Sequence, residues 1–158
     1  MRVRLRLGVL ATATACIALT LAWLDAALHT PTGWAIGDFL TWTDPCDIEQ
    51  MIAGWGRAKT LAYAYLLLDT FVFMPAYGWL AWRSQHRLQA ATQALIVPGF
   101  AWVARLVHVA ALIALTGLLL FDLLENLGGL ARLTRPQGVA LFAAWPTAGK
   151  QYAMVAVA

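Results

Sequence analysis

The sequence predicts an all-α protein: a polytopic bundle of transmembrane helices that forms a single membrane-embedded domain over residues 1–158. Two features of the composition support this prediction. The chain is 61% hydrophobic with a mean hydropathy of +0.68, and only 12% of its residues are charged, about half the ~25% that is usual for a soluble domain. A water-soluble fold of this length would need more surface charge, so we expect the lipid bilayer to surround the helices.

The first span is predicted over about residues 7–27, behind a basic flank of Arg2, Arg4 and Arg6. Its uncharged run is long enough to cross about 27 Å of hydrocarbon. A cleavable secretory signal is the alternative, because a basic start and small residues suit one. We favour a retained span, since the run exceeds the ~7–15 residues of a signal core and no clean cleavage site follows. The arginines predict a cytoplasmic N-terminus in a bacterial inner membrane.

A polar connection over residues 25–57 follows and is predicted to lie outside the cell membrane. Within it, four apolar residues have the i, i+3, i+4, i+7 spacing of an amphipathic helix. They are Ile48, Met51, Ile52 and Trp55. With Asp47 as its N-cap, this short helix is predicted to lie on the membrane surface.

The second and third spans are predicted over about residues 60–82 and 106–127. Pro75 is expected to kink the second span, because proline removes a backbone donor. A short surface helix at about residues 89–97 is expected in the return between these spans.

Two glycines, Gly128 and Gly129, are expected to end the third span, since glycine tolerates a left-handed cap. An apolar run from residue 151 is typical of the first turns of an incomplete fourth span. We therefore expect the chain to be part of a longer protein, which a native mass near 17.2 kDa would disprove.

The acids within the spans are the residues that membrane insertion does not explain. Asp69 is the deepest, and an acid at mid-span costs about 2.5–3.5 kcal/mol on insertion scales. It is expected to face the bundle, with Tyr65 as a hydrogen-bond donor one turn away. Asp122, Glu125 and Asn126 are spaced i, i+3, i+4 and share one face at the end of the third span. Two acids at a helix C-terminus oppose the macrodipole, so they require a cation, a proton or strong donors.

These polar groups are predicted to form one ligand-binding site. Spans two and three are joined by a modest loop, so we expect them to be antiparallel neighbours. Asp69, Asp122 and Glu125 would then line a pocket in the outer half of the bundle, with Glu125 at its entrance and Asp25 at its rim. A polar network that only holds the helices together is the alternative.

Other kinds of site have less support in the sequence. The imidazoles of His29, His86 and His108 are expected to be too far apart for one metal site, so no metal is predicted. A net charge of +3 with scattered basic residues predicts no nucleic-acid partner. Ser84 is the only serine, which leaves a serine nucleophile with poor support.

Two short motifs are similar to a group of uncharacterised bacterial integral membrane proteins with about four spans. One is an aspartate in the second span followed by Phe and Tyr-Gly (Leu68-Asp69-Thr70-Phe71, then Pro75-Ala76-Tyr77-Gly78). The other is the Asp-x-x-Glu-Asn of residues 122–126 at the end of the third span. The resemblance covers roughly residues 60–130 and implies a compact helical bundle with a fourth span. It implies no activity.

Three functions are compatible with these observations. The leading hypothesis is a membrane-embedded protein that binds a cation or a polar or lipid head group in the acidic pocket. The first alternative is an enzyme that modifies a lipid or isoprenoid, with the carboxylates as general acid and base. The second is a structural or assembly subunit whose acids pair with a membrane partner protein or with a second copy of the chain.

Overall fold

The computed structural model describes residues 2–41, 44–95 and 100–134, and helices account for 97% of the structure. No strand occurs in these ranges, so the prediction of an all-α fold is confirmed. The predicted fourth span from residue 151 lies outside the described residues.

Six α-helices occur in the described ranges. They are α1 (Arg2–Thr32), α2 (Ile36–Thr41), α3 (Pro45–Trp55), α4 (Lys59–Leu68), α5 (Met74–Leu95) and α6 (Ala101–Thr134). A 3-10 turn, Gly56–Ala58, leads from α3 into α4, and a π-helical turn, Asp69–Phe73, joins α4 to α5. Helices α4 and α5, with the π-turn between them, form one continuous rod, which we call the α4–α5 rod.

Three helical stretches are long and apolar enough to cross a membrane. They are Leu7–Thr30, Cys46–Gln93 and Ala101–Thr134. Large apolar side chains on these stretches point away from the protein, and Leu19, Phe71 and Ile113 are each more than 60% exposed. A soluble monomer rarely exposes so much apolar surface, whereas contact with lipid accounts for it. The fold is therefore that of a helical protein compatible with the membrane.

The α4–α5 rod is the centre of the bundle. Helix α1 packs along one side of it and α6 along the other, while α1 and α6 make little direct contact with each other. A buried apolar core lies at one end of this arrangement, where α2 and α3 close over the ends of the long helices. We call it the α2/α3 end.

Helix α3 differs from the sequence prediction in both its start and its environment. The N-cap is Asp44, whose Oδ1 accepts a hydrogen bond of 2.8 Å from the Cys46 amide, with Pro45 in the first turn. Asp47 was predicted for that role and instead lies within the first turn. The apolar face of α3 is buried in the protein core, where Trp55 stacks at 5.2 Å from Phe39. The predicted contact of this face with the membrane surface is therefore wrong, because α1 and α2 cover it.

Charged side chains hold the short helix α2 at both of its ends. The Ile36 amide donates to Asp25 Oδ1 at 2.7 Å, and the Ala35 amide donates to Asp38 Oδ2 at 2.9 Å. At the other end, the fully buried Arg132 donates from Nη1 to the Phe39 carbonyl at 2.8 Å. These groups satisfy backbone atoms that a six-residue helix cannot pair internally.

The α4–α5 rod runs further than the sequence predicted. Helix α5 continues without a break from Met74 to Leu95, so the separate surface helix expected near residues 89–97 is instead its last turns as far as Leu95. At the predicted kink, the π-turn ends two residues before Pro75, and the Met74 amide donates to the Asp69 carbonyl five residues earlier. A wider turn suits this position because the proline ring has no N–H and would crowd the carbonyl of Phe71.

Helix α6 passes through the two glycines that were predicted to end it and continues to Thr134. The reason is packing. A Cβ atom on Gly129 would lie 2.8 Å from Leu40 Cδ2 and 3.2 Å from Leu66 Cδ1. The absence of a side chain therefore lets α6 approach α2 and α4 closely at the buried core.

This packing predicts that Gly129→Val destabilises the protein. Both contacting leucines are buried, so a β-branched side chain overfills the core at a cost of about 1–3 kcal/mol. The measurement is reversible unfolding in mixed micelles. Gly117→Val in the same helix is the matched control, because a Cβ atom there meets nothing within 4 Å. Equal stability of the two variants would contradict the packing role of Gly129.

Candidate acidic cavity

A cavity of about 460 Å³ lies between α1, the α4–α5 rod and α6. Four of the six residues predicted for the binding site line it. The complete lining is Ala18, Leu21, Ala22, Asp25, Tyr65, Asp69, Phe73, Tyr77, Leu118 and Asp122. Glu125 and Asn126, the other two predicted residues, are buried nearby but do not belong to the lining. We call this space the acidic cavity.

The floor of the acidic cavity is a stripe of four residues along the rod. Tyr65, Asp69, Phe73 and Tyr77 are each four positions apart. In a regular α-helix, every such step overshoots a full turn by about 40°, and three steps would turn the stripe by about 120°. A π-turn takes up more than four residues, so the step from Asp69 to Phe73 falls short of a full turn and reverses this drift. The π-turn thus keeps the stripe on one side.

The walls come from the two helices that flank the rod. Helix α1 contributes Ala18 and Ala22, whose small side chains leave space, together with Leu21 and Asp25. Asp25 therefore serves two purposes, because its Oδ1 also receives the Ile36 amide of α2.

Two hydrogen bonds hold the deeper acids in place and link the rod to α6. Asn126 Nδ2 donates to Asp69 Oδ2 at 2.8 Å, and the Tyr77 hydroxyl donates to Asp122 Oδ2 at 2.7 Å. Both acids are buried, with 9% of Asp69 and 3% of Asp122 exposed. A fixed orientation presents each carboxylate to the cavity and offsets part of the cost of burying it.

Asp122 and Glu125 do not lie at a helix C-terminus, so this prediction from the sequence is wrong. Helix α6 extends more than two turns beyond Glu125. The macrodipole acts mainly within the last turn of a helix, so it does not oppose these acids. Glu125 is buried and takes part in a hydrogen-bonding or electrostatic interaction within the protein. It does not form the predicted entrance, because it is absent from the cavity lining.

Tyr77 is the residue of the cavity that the site prediction missed. Tyr65 was proposed as the donor beside Asp69, whereas the structure gives that donor role to Asn126 and a second one, to Asp122, to Tyr77. The spacing gave no signal for it, although Tyr77 lies eight residues after Asp69. A regular helix places that position on a different side, and only the π-turn returns it to the stripe.

The histidines are closer together than the sequence analysis expected. The rings of His86 and His108 lie 5.3 Å apart between α5 and α6, so the expectation that all three imidazoles are separated is wrong for this pair. Across the described part of the chain, no three His, Cys, Asp or Glu side chains gather in a way that could hold a metal ion.

The fold and the acidic cavity together define a small helical protein of membrane type, with a cavity between its long helices that three aspartates line. No protein-family model, curated protein or solved structure matches the chain. The resemblance to bacterial membrane proteins of about four spans remains a prediction.

The link between the rod and α6 predicts that Tyr77→Phe lowers stability by about 0.6–2 kcal/mol, the usual range for a hydrogen bond between membrane helices. Unfolding in mixed micelles measures the loss, and a double-mutant cycle with Asp122→Ala assigns it to the pair. Tyr63→Phe is the matched control, because the ring of Tyr63 lies beneath Lys59 and outside the cavity lining. A coupling energy near zero would contradict the link.

Proposed function

We propose that the protein is a membrane-embedded binding protein whose acidic cavity takes up an organic cation, such as the ammonium head group of an amphipathic molecule. The observation that carries the proposal is the convergence of Asp25, Asp69 and Asp122 on one cavity. Three carboxyl groups on one lining attract a positively charged group.

The rest of the lining favours an organic cation over a bare ion. Three aromatic rings, of Tyr65, Phe73 and Tyr77, line the cavity beside the acids. Aromatic faces attract ammonium groups, with energies of about 0.5–2 kcal/mol per contact. The volume lies within the ~300–1,000 Å³ range of small-molecule sites.

The apolar part of the lining suits the hydrocarbon portion of such a ligand. Leu21 of α1 and Leu118 of α6 belong to the two walls of the cavity. Because these walls belong to helices that make little contact with each other, the gap between them is a route for a ligand that arrives within the bilayer.

A structural role for the same acids is the second candidate. The hydrogen bonds Asn126–Asp69 and Tyr77–Asp122 favour it, because each one joins the rod to α6. The two functions predict different effects of replacing the aspartates. Asp→Asn variants of a ligand site lose binding while they remain folded, whereas variants of a purely structural network lose stability.

The binding proposal is tested with benzyltrimethylammonium and its uncharged carbon isostere, titrated calorimetrically into the purified protein in lipid nanodiscs. We expect saturable binding of the cation only. Asp69→Asn and Asp122→Asn should each weaken it about tenfold or more, because each removes a charge that faces the ligand.

Glu49→Gln is the control, since Glu49 is exposed on α3 and lies outside the cavity lining. Thermal melts of every variant establish that it is folded. Saturable binding that both aspartate variants leave unchanged, or equal binding of the isostere, would refute the proposal.

We further propose that the protein resides in a bacterial inner membrane with a cytoplasmic N-terminus, which places the α2/α3 end outside. The basic flank before the first span supports this orientation, as do Arg83, Arg87 and Arg105 around the turn between α5 and α6. The acids of residues 25–49 belong to the opposite end.

This orientation predicts that Cys46 reacts with a membrane-impermeant maleimide in intact cells. Its side chain is exposed at the start of α3. In a Cys16→Ala background, labelling of Cys46 should be complete before lysis. A Cys46→Ser/Ser84→Cys variant in that background is the matched control, because Ser84 is exposed near the other end and should be labelled only after lysis. The reverse pattern would overturn the orientation.

A further inference from the structure

A second cavity, of about 260 Å³, lies between the end of α5 and the start of α6, away from the α2/α3 end. Its lining combines polar and apolar side chains: Gln85, Leu88, Gln89, Thr92, Phe100, Val103, Ala104, Val107 and His108. We propose that this cavity binds the phosphate head group of an anionic phospholipid, with an acyl chain along the exposed apolar residues beside it. The proposal is independent of the function assigned to the acidic cavity.

The charged residues in the sequence around this cavity are all basic. The sequence contains no acid from residue 70 to residue 121, whereas Arg83, Arg87 and Arg105 all lie in that stretch. Arg105 precedes His108 by three positions in α6, which makes the two side chains neighbours on the helix surface. An anion at the His108 end of the cavity therefore has a permanent cation within one helical turn.

The backbone adds to the same field. Val103 and Ala104 line the cavity and belong to the first turn of α6, which begins at Ala101. The first N–H groups of a helix have no partner within it, and they carry the positive end of the macrodipole. Phosphate groups bind at such positions. An anion in the cavity is therefore favoured by the start of α6 together with Arg105 and His108.

The polar residues of the lining supply neutral hydrogen-bond donors to the same cavity. Gln85 and Gln89 lie one turn apart on α5, and both residues line the cavity together with His108. Amide N–H groups can donate to phosphate oxygens without the desolvation cost of a buried charge. The arrangement therefore suits an oxygen-rich anion that needs several donors.

The apolar lining distinguishes a lipid from a free anion. Leu88, Phe100 and Val107 line the cavity and are each more than 60% exposed. A phosphate ion alone would leave these side chains in contact with solvent or surrounding lipid without using them. A phospholipid uses both parts, because its acyl chain covers the apolar residues while its head group reaches the donors.

A row of contacting aromatic and imidazole rings indicates that this site lies at the edge of the membrane. The rings of Trp79 and Trp82 lie 5.1 Å apart, Trp82 lies 4.7 Å from His86, and His86 lies 5.3 Å from His108. Arg83 stacks on Trp79 at 4.9 Å. Tryptophan rings concentrate at the level of the head groups, and basic pockets between transmembrane helices bind anionic lipids there.

The test compares binding of phosphatidylglycerol and phosphatidylcholine with identical acyl chains to the purified full chain, by native mass spectrometry in detergent. We expect phosphatidylglycerol to be preferred at least about fivefold. Arg105→Gln should reduce that preference about fivefold, the effect of one arginine near an anionic head group. Arg105 is exposed, so its substitution should leave the fold intact. Arg57→Gln is the matched control, because Arg57 is exposed at the α2/α3 end and should leave the preference unchanged.

Three results would overturn the proposal. The first is equal binding of the two lipids. The second is a preference for phosphatidylglycerol that Arg105→Gln leaves unchanged or that Arg57→Gln reduces equally. The third is displacement of the lipid by millimolar inorganic phosphate as efficiently as by phosphatidylglycerol, which would show a site for a free anion rather than for a lipid. Weaker binding of both lipids by Gln89→Leu, which removes a neutral donor to the phosphate that the two lipids share, is the further result that the proposal predicts.

Discussion

The burial of two carboxylates between membrane-type helices is the constraint on which the rest of the structure depends. Asp69 and Asp122 lie on different helices, and each accepts a hydrogen bond from the opposite one. Because a carboxylate in an apolar environment is costly without such donors, the rod and α6 must keep their relative position along their length. The close approach of α6 at Gly129 allows this position, since a side chain there would push α6 away from α2 and α4.

The π-turn connects this constraint to the acidic cavity. It combines with Pro75 to widen one turn of the rod, and the widening places Tyr65, Asp69, Phe73 and Tyr77 in one stripe. π-turns often occur at functional sites, where the backbone geometry serves a purpose other than stability. Here the same turn positions Asp69 for its hydrogen bond with α6 and places the aromatic residues of the cavity floor. The structural role of Asp69 and its proposed role in binding therefore share one cause.

The sequence was sufficient for the features that follow from hydrophobicity and charge. The long apolar runs predicted the all-α fold and the three long helices, and the cost of an acid at mid-span identified Asp69. The spacing of Asp122 and Asn126 predicted a shared face, and that face does reach Asp69. Ligand binding by these residues remains a prediction.

The features that the sequence analysis missed depend on tertiary contacts. Glycine has two uses, as a helix stop and as a site of close packing, and only the positions of Leu40 and Leu66 show that Gly129 has the second. The apolar face of α3 suits a membrane surface as well as a protein core. It is buried in the core because α1 and α2 cover it. Tyr77 was missed because the π-turn changes the helical repeat, and no propensity rule predicts such a turn with certainty from Pro75 alone.

The most direct test of the central claim is to locate a bound cation. A crystal structure of the protein with the bromine-substituted form of benzyltrimethylammonium provides this, since bromine gives an anomalous signal. The account predicts one bromine peak in the acidic cavity, with the ammonium group beside Asp69 and Asp122 and near the rings of the floor. A peak outside the cavity, or an empty cavity at a saturating concentration of the cation, would contradict it.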